Sequence, residues 1–336
     1  MKYQFLSLWI KKFLLNYLID TRNLSRNTQH SYRDTFRLLV PFVIKKTRNS
    51  AEQLLVTDLS AQMVKNFLSE LITKRNCSRR TVNQRLATIH AFAKFVSLEN
   101  PEYLEWYRNI CSIQFQKSQQ SIITYLEKPE MDALLAMPDR KNHQGQRDYA
   151  ILLFLYNTGA RADEVAQLTI FGLNLSSSST KNFSSVLIKG KGNKSRCCPL
   201  WQQTVKELEL LIRGREEKEN IFLNRFNQPI TRFGIYGIVK KYTKKLVLKI
   251  PSLAKKRVSP HVIRHTTATH LLRAGVDINT IRAWLGHVSI NTTNIYVEVD
   301  LEMKAKALAC CEIDKKNNRH RHWRENKNLM EFLNSL

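Results

Sequence analysis

Residues His261–Tyr296 read HVIRHTTATHLLRAGVDINTIRAWLGHVSINTTNIY. Ser259 and Pro260 open a helix over His261–Ala274, with proline in the first turn where its missing N–H costs nothing. Gly275 ends that helix and Gly286 ends the next, Ile278–Leu285. His287 follows directly, and Ser289 or Asn291 caps a segment holding Tyr296. His261 and Arg264 share a helical face, which brings an imidazole and a guanidinium within reach of one phosphate. His265 and His270 lie on the same helix and read mainly as packing histidines. A lone tyrosine is usually structural. Tyr296 gains weight from its company, because cations near a phenol stabilise its anion.

The charge balance says what such a cluster would act on. Lys plus Arg number 54 and Asp plus Glu 28, giving a formal net charge of +26 over 336 residues. A chain this basic calls for a polyanion, and nucleic acid suits it better than a membrane surface or a ribosomal role once the cluster is considered. The basic residues recur through Arg22–Arg48, Lys74–Arg85, Lys189–Arg196 and Lys240–Arg257, so they do not form a single tail. No membrane partner is expected. The longest apolar run, Tyr149–Tyr156, is far short of the ~20 residues a spanning helix needs. The apolar N-terminus is broken by Lys11 and Lys12 and reads as an amphipathic helix, not a leader. The six cysteines form no CxxC and show no zinc spacing, which points to reduced thiols in a cytoplasmic, DNA-associated protein with no metal.

The fold class expected is mainly α with a small β-hairpin or sheet. Helical periods run through Thr28–Lys45, Ser60–Lys74, Thr81–Leu98 and Glu102–Ile113, with Ser25 as a candidate N-cap. Arg26, Arg33, Arg79, Arg80 and Arg85 fall on their outward positions as candidate DNA contacts. The polar stretch Gln114–Ser121 reads as a linker. The expected domains are a helical DNA-binding domain over 1–115, a linker over 116–121, a catalytic domain over 122–312, and a basic tail with a C-terminal helix over 313–336. In the second part, helices are expected at Pro129–Leu135, Arg147–Asn157 and Ala162–Leu168, and again from Gln202 onward. Between them, Val186–Ile188 and Arg196–Cys198 flank Gly190-Lys191-Gly192-Asn193 as a hairpin with lysine at its tip. Lys194 and Arg196 join the candidate DNA contacts.

Breaking a phosphodiester without a metal requires donors on the non-bridging oxygens, a proton for the leaving oxygen and a nucleophile that loses its own proton. Guanidinium supplies two parallel donors. Arg161 sits at the junction of a buried helix and the next, with Glu164 one turn on to orient it. Taken alone it would pass for a surface arginine. Lys191 on a glycine-flanked tip suits a phosphate contact or a general acid.

TGARADEV (158–165), IKGKGNKSR (188–196), HVIRH (261–265) and LGHVSINTTNIY (285–296) together resemble the tyrosine recombinase, or phage integrase, family, including Xer-type resolvases and mobile-element integrases. The likeness spans roughly 124–309 and implies an α+β tyrosine-recombinase catalytic domain. A weaker match of helical pattern and basic face extends it to the family's core-type DNA-binding domain. It implies that Arg161 and Arg264 clamp the scissile phosphate, Lys191 protonates the leaving 5′ oxygen, and His261 assists proton transfer. It further implies that His287 bonds the phosphate, Tyr296 attacks it to form a 3′-phosphotyrosyl bond, and Glu164 is an accessory acid. No cofactor is implied. The partners implied are a double-stranded recombination site and further copies of the chain, a dimer on one site and a tetramer in the synapse. Ala160 and the pair Ala162-Asp163 depart from the usual pattern at packing positions. A type IB topoisomerase-like strand passage and a catalytically silent DNA-binding regulator are the alternative readings, and a metal-dependent nuclease is disfavoured by the lack of a carboxylate cluster.

Overall fold

The computed structural model describes residues 5–117, 123–175, 183–190, 192, 194–286 and 331. Twelve α-helices and three short strands lie among these described residues. The chain divides into two compact units, Met1–Ser121 and Ile122–Leu336.

The first unit is all helical: α1 (Leu6–Lys12), which continues as a wider π-type winding over Phe13–Thr21, α2 (Arg26–Thr47), α3 (Ala61–Thr73), α4 (Arg79–Glu99) and α5 (Leu104–Cys111). The apolar stripes set by the sequence face inward. Leu39 and Val43 of α2, Val64 of α3 and Ile89 and Phe92 of α4 are completely buried. Phe13 lies among them, its ring 5.4 Å from Phe92 and 6.1 Å from Phe36, both edge-on. Rings in this arrangement add to the ~2–3 kcal/mol that burying each contributes. Ser60 and Ser78 accept the N–H of Met63 and Thr81, both at 3.2 Å, and so start α3 and α4. Ser25 stands at the N-cap of α2, but its hydroxyl meets Thr28 Oγ1 at 3.0 Å and no backbone N–H. The expected helix from Glu102 begins as a tight turn over Pro101–Tyr103, because Asn100 Oδ1 captures the Glu102 N–H at 3.1 Å. Gln116 is tied on both sides to the Asn83 amide, at 2.8 and 2.9 Å.

The second unit contains α6 (Lys128–Leu135), α7 (His143–Thr158), α8 (Ala162–Ala166), β1 (Leu173–Asn174), β2 (Ser185–Lys189), β3 (Ser195–Pro199), α9 (Gln202–Ile212), α10 (Arg232–Val247), α11 (Pro260–Arg273) and α12 (Ile278–Leu285). α7 is buried on every side from Tyr149 to Thr158, which explains why its sequence is apolar without a clean helical stripe. The hairpin is antiparallel, with Val186 opposite Cys198 and Ile188 opposite Arg196. Val186, Ile188 and Cys198 are fully buried while Leu187 is 45% exposed, the alternation of a sheet with one wet face. β1 extends the sheet through Leu173 opposite Val186, a third strand the sequence did not announce. Two residues carry no period to read. The hairpin turn closes with the Gly190 N–H donating to Lys194 O at 2.7 Å. Gly192 holds φ +75°, where a side chain is strained. No described helix is long and apolar enough to cross a membrane.

Candidate active site

The site grows from the end of α7. Gly159 stops that helix in the left-handed region at φ +59°. A Cβ at Gly159 would meet Leu285 Cδ2 at 2.5 Å and Thr267 Cγ2 at 3.5 Å, so α11 and α12 close against bare backbone here. Arg161 follows in extended conformation as the N-cap of α8. Its backbone N–H donates to Glu164 Oε2 at 2.9 Å and its Nη1 to Glu164 Oε1 at 2.7 Å. The carboxylate therefore fixes both ends of the arginine, while 38% of the arginine side chain stays open to solvent.

α11 begins at Ser259, whose hydroxyl accepts the Val262 N–H at 3.3 Å, with Pro260 in its first turn. Arg264, one turn in, is only 1% exposed. Its Nη1 donates to Gly159 O at 2.7 Å and its Nη2 to Leu285 O at 2.6 Å. The buried fork thus ties the end of α7 to the end of α12. His261 is exposed at the start of α11. The protein crowding its ring, and after that the charges of Arg264 and Arg161, hold its pKa below the ordinary histidine value. Arg264 bonds to the backbone two residues before Arg161, and His261 is one turn before Arg264 on α11, so the three residues lie in one region. His265 stacks edge-on to His261 at 4.7 Å. Burial, His261 and Arg264 push its pKa down to about 4.

His270 lies apart from this convergence. Its Nδ1 meets Tyr156 Oη at 2.8 Å beside a cavity of 460 Å³ lined in part by Lys128, Trp201 and Trp284. Lys191, His287 and Tyr296 lie outside the described residues, as does the basic tail with its C-terminal helix expected over 313–336, Glu331 excepted. Their chain neighbours are placed. Gly190 precedes Lys191, and a Cβ there would meet Glu164 Oε1 at 3.3 Å. Gly286 precedes His287, and a Cβ there would meet the Arg196 side chain at 3.2 Å.

Among the candidate DNA contacts, Arg26, Arg33, Arg79, Arg80 and Lys194 are exposed. Arg33 also pairs with Asp34 at 2.9 Å. Arg85 is half-buried and donates to Ser31 O and Thr35 Oγ1, both at 3.0 Å, bonds internal to the helical unit. Arg196 requires a correction. It was expected at the DNA surface, yet its side chain is 9% exposed. Its Nη2 donates to Glu164 Oε2 at 2.6 Å and its Nε to Trp284 O at 2.9 Å. The cause is register: Arg196 stands opposite Ile188 and two positions from Cys198, so it shares their inward face. The alternation through Arg196-Cys197-Cys198 carried that signal. The sequence reading expected a helix over Arg232–Leu246 but named no DNA contact on it; Arg232, Phe233, Tyr236 and Lys240 of α10 are exposed. Among the described residues no group of three or more His, Cys, Asp or Glu gathers as a metal site.

Comparison with known proteins gives this geometry its family. The phage integrase family model matches residues 124–303, and the phage integrase N-terminal SAM-like domain matches residues 10–100. A Sinorhizobium fredii protein described as an integrase/recombinase is 34% identical over 329 residues, covering 97% of each chain. The tyrosine recombinase XerC of Bacillus subtilis is 30% identical over 306 residues, 87% of this chain and 92% of that one. Among solved structures, the Tn1549 transposon integrase in complex with a circular intermediate DNA matches with a TM-score of 0.68 at 18% identity, over 91% of this chain and 99% of that one. The XerH site-specific recombinase bound to difH substrate matches at 0.63 and 20% identity, over 90% and 84%. These two structures share the fold. The matched residues, the full-length relative and the converging arginines lead to one conclusion: the chain belongs to the phage integrase family of tyrosine recombinases.

Proposed function

We propose that the chain is a site-specific DNA recombinase, of the integrase, resolvase or transposase type, that cuts and rejoins DNA through a 3′-phosphotyrosyl intermediate without a metal or ATP. The observation that carries this reading is that Arg264 bonds to Gly159 O at 2.7 Å, two residues before Arg161, while His261 stands one turn before Arg264 on α11. Two aimed cations suit a phosphate whose negative charge grows as it is attacked. In the proposed reaction Tyr296 Oη bonds to phosphorus and the bond from phosphorus to the 5′ oxygen breaks. Lys191 gives the leaving oxygen its proton. His261, whose lowered pKa keeps it neutral near pH 7, takes the phenol proton. His287 donates to a non-bridging oxygen. A 5′ hydroxyl from a second duplex then attacks the phosphotyrosine and releases the tyrosine. One phosphodiester replaces another, so no external energy source is required.

The exposed Arg26, Arg33, Arg79 and Arg80, with Lys194 on the hairpin, are proposed to lie along the phosphates of a double-stranded recombination site. The domain limits proposed are 1–115, 116–121, 122–312 and 313–336. A dimer on one site and a tetramer in the synapse are proposed as the working assembly, with the C-terminal helix expected within 313–336 packing on its own chain or on a neighbour. The place of action proposed is the cytoplasm, on the nucleoid. Likeness to XerC and integrases weighs against the topoisomerase and silent-regulator readings.

The test is covalent capture on a nicked duplex. Tyr296→Phe is expected to bind DNA as the wild type does and to yield no protein–DNA adduct in denaturing gels. An adduct formed by that variant would remove Tyr296 from the role. Wild-type capture is expected to proceed at full rate in excess EDTA, and chelator-sensitive capture would favour a metal-dependent reaction.

A further inference from the structure

We infer that Arg196 is a positioning residue for strand cleavage: its ion pair with Glu164 is a shared brace that sets Arg161 and the chain at Gly190 and Gly286 relative to one another. The inference rests on the reading of those residues as the phosphate-handling set.

Glu164 is 6% exposed and accepts from two arginines at once. Oε1 takes Arg161 Nη1 at 2.7 Å, while Oε2 takes the Arg161 N–H at 2.9 Å and Arg196 Nη2 at 2.6 Å. Burial opposes ionisation of Glu164, but the Arg196 bond and charge and the bonds from Arg161 outweigh it and hold the carboxyl below the usual carboxylate range. The acid therefore stays a full anion shared between two cations. One of them, Arg161, remains partly open to solvent; the other, Arg196, is enclosed.

The enclosed partner reaches a second element. Arg196 Nε donates to Trp284 O, in the last turn of α12, and Arg264 Nη2 donates to Leu285 O, the next carbonyl. The final carbonyls of a helix have no partner within the helix. Here two guanidinium groups supply partners for two of them, at the helix end that carries partial negative charge. The residue after Leu285 is Gly286, in the left-handed region at φ +66°, with Arg196 Cδ and Nη1 both 3.2 Å from where its Cβ would stand. The residue after Gly286 is His287.

The same brace also underlies the hairpin turn. A Cβ on Gly190 would lie 3.3 Å from Glu164 Oε1 and 3.5 Å from Arg196 Nη1. The next residue is Lys191. Two glycines thus lie against one ion pair, each directly before a residue proposed to handle the phosphate. Side chains at either position would push on the pair.

A buried ion pair contributes little net stability, because desolvating two charges offsets their attraction. Its value here is geometric. The planar fork of arginine bonds in two directions at once, to Glu164 and to Trp284 O, whereas a lysine ammonium is a single point charge that cannot reproduce that fork.

The experiment uses the full chain and a nicked duplex recovered from a randomised pool by covalent capture on the wild-type protein. Arg196→Met and Arg196→Lys are compared with wild type in three readouts: melting temperature, dissociation constant for the duplex, and the rate of covalent adduct formation in the saturated complex. A misplacement of ~1 Å around the reacting groups can cost ~100-fold. Arg196→Met is therefore expected to slow adduct formation by about that factor, with the dissociation constant within about threefold of wild type. Arg196→Lys is expected to recover part of the rate. The inference is judged on whichever variant melts as the wild type does, so a poorly folding methionine variant leaves the lysine variant to decide. An adduct rate in the saturated complex within twofold of wild type, with or without weaker binding, overturns it. Arg161→Ala serves as the control for the parent reading. If Arg161→Ala cleaves normally, that reading fails; if it is inactive while the folded Arg196 variants cleave normally, only the positioning role fails.

Discussion

His265 shows how a single residue of α11 links the site to stability. Its ring is held neutral by burial, by His261 and by Arg264, with a pKa of about 4 against an ordinary 6.5. As pH falls from 6.5 toward 4, the unfolded chain takes up a proton that the folded chain refuses. Stability contributed by this residue is therefore present above 6.5 and lost progressively below it. The melting temperature is expected to drop between pH 7 and pH 5, and His265→Gln is expected to flatten that dependence. An unchanged slope in the variant would place the acid sensitivity elsewhere. At this scale the pairing of Arg161 with Glu164 was legible, because a one-turn spacing at a helix start puts both groups together. The role of Arg196 was not. Its partners lie 32 and 88 residues away, so a basic residue in a basic hairpin passed for a surface contact.

Among the elements, the junction after α7 is tightly constrained. Gly159 combines φ +59° with a Cβ position 2.5 Å from a fully buried Leu285 side chain. Gly159→Ala is expected to cost at least ~1–2 kcal/mol from backbone strain alone, with repacking of α12 on top. A melting temperature equal to wild type would show that α12 yields freely there. The helices most legible in the sequence were those with a strong apolar period and a serine cap, such as α3 and α4, whose boundaries shifted by only a few residues. α12 matched the expected span. What escaped were elements too short for a period, namely β1 and the tight turn Pro251–Lys255. The wide winding over Phe13–Thr21 escaped for a different reason, since its apolar residues fit an ordinary helix equally well.

At the scale of the whole molecule, a net charge of +26 governs encounter with DNA. Binding that neutralises about 6–10 phosphates releases as many counterions, so affinity is expected to fall by ~10³-fold or more between 50 and 200 mM salt. A shallow salt dependence would mean that most of the basic residues never approach the duplex. The family was legible because its motifs hold fixed residue types at fixed places along the chain. Which surfaces meet DNA was less so, since an exposed arginine and an enclosed one look alike in sequence. The central claim is chemical: a tyrosine near the C-terminal end takes over one DNA strand at its 3′ phosphate. The measurement that bears on it most directly is mass spectrometry of the captured adduct after protease and nuclease digestion. The account predicts a peptide carrying a nucleotide on Tyr296 through its 3′ phosphate, with a free 5′ hydroxyl on the released strand. A nucleotide on any other residue, or one attached through its 5′ phosphate, would contradict it.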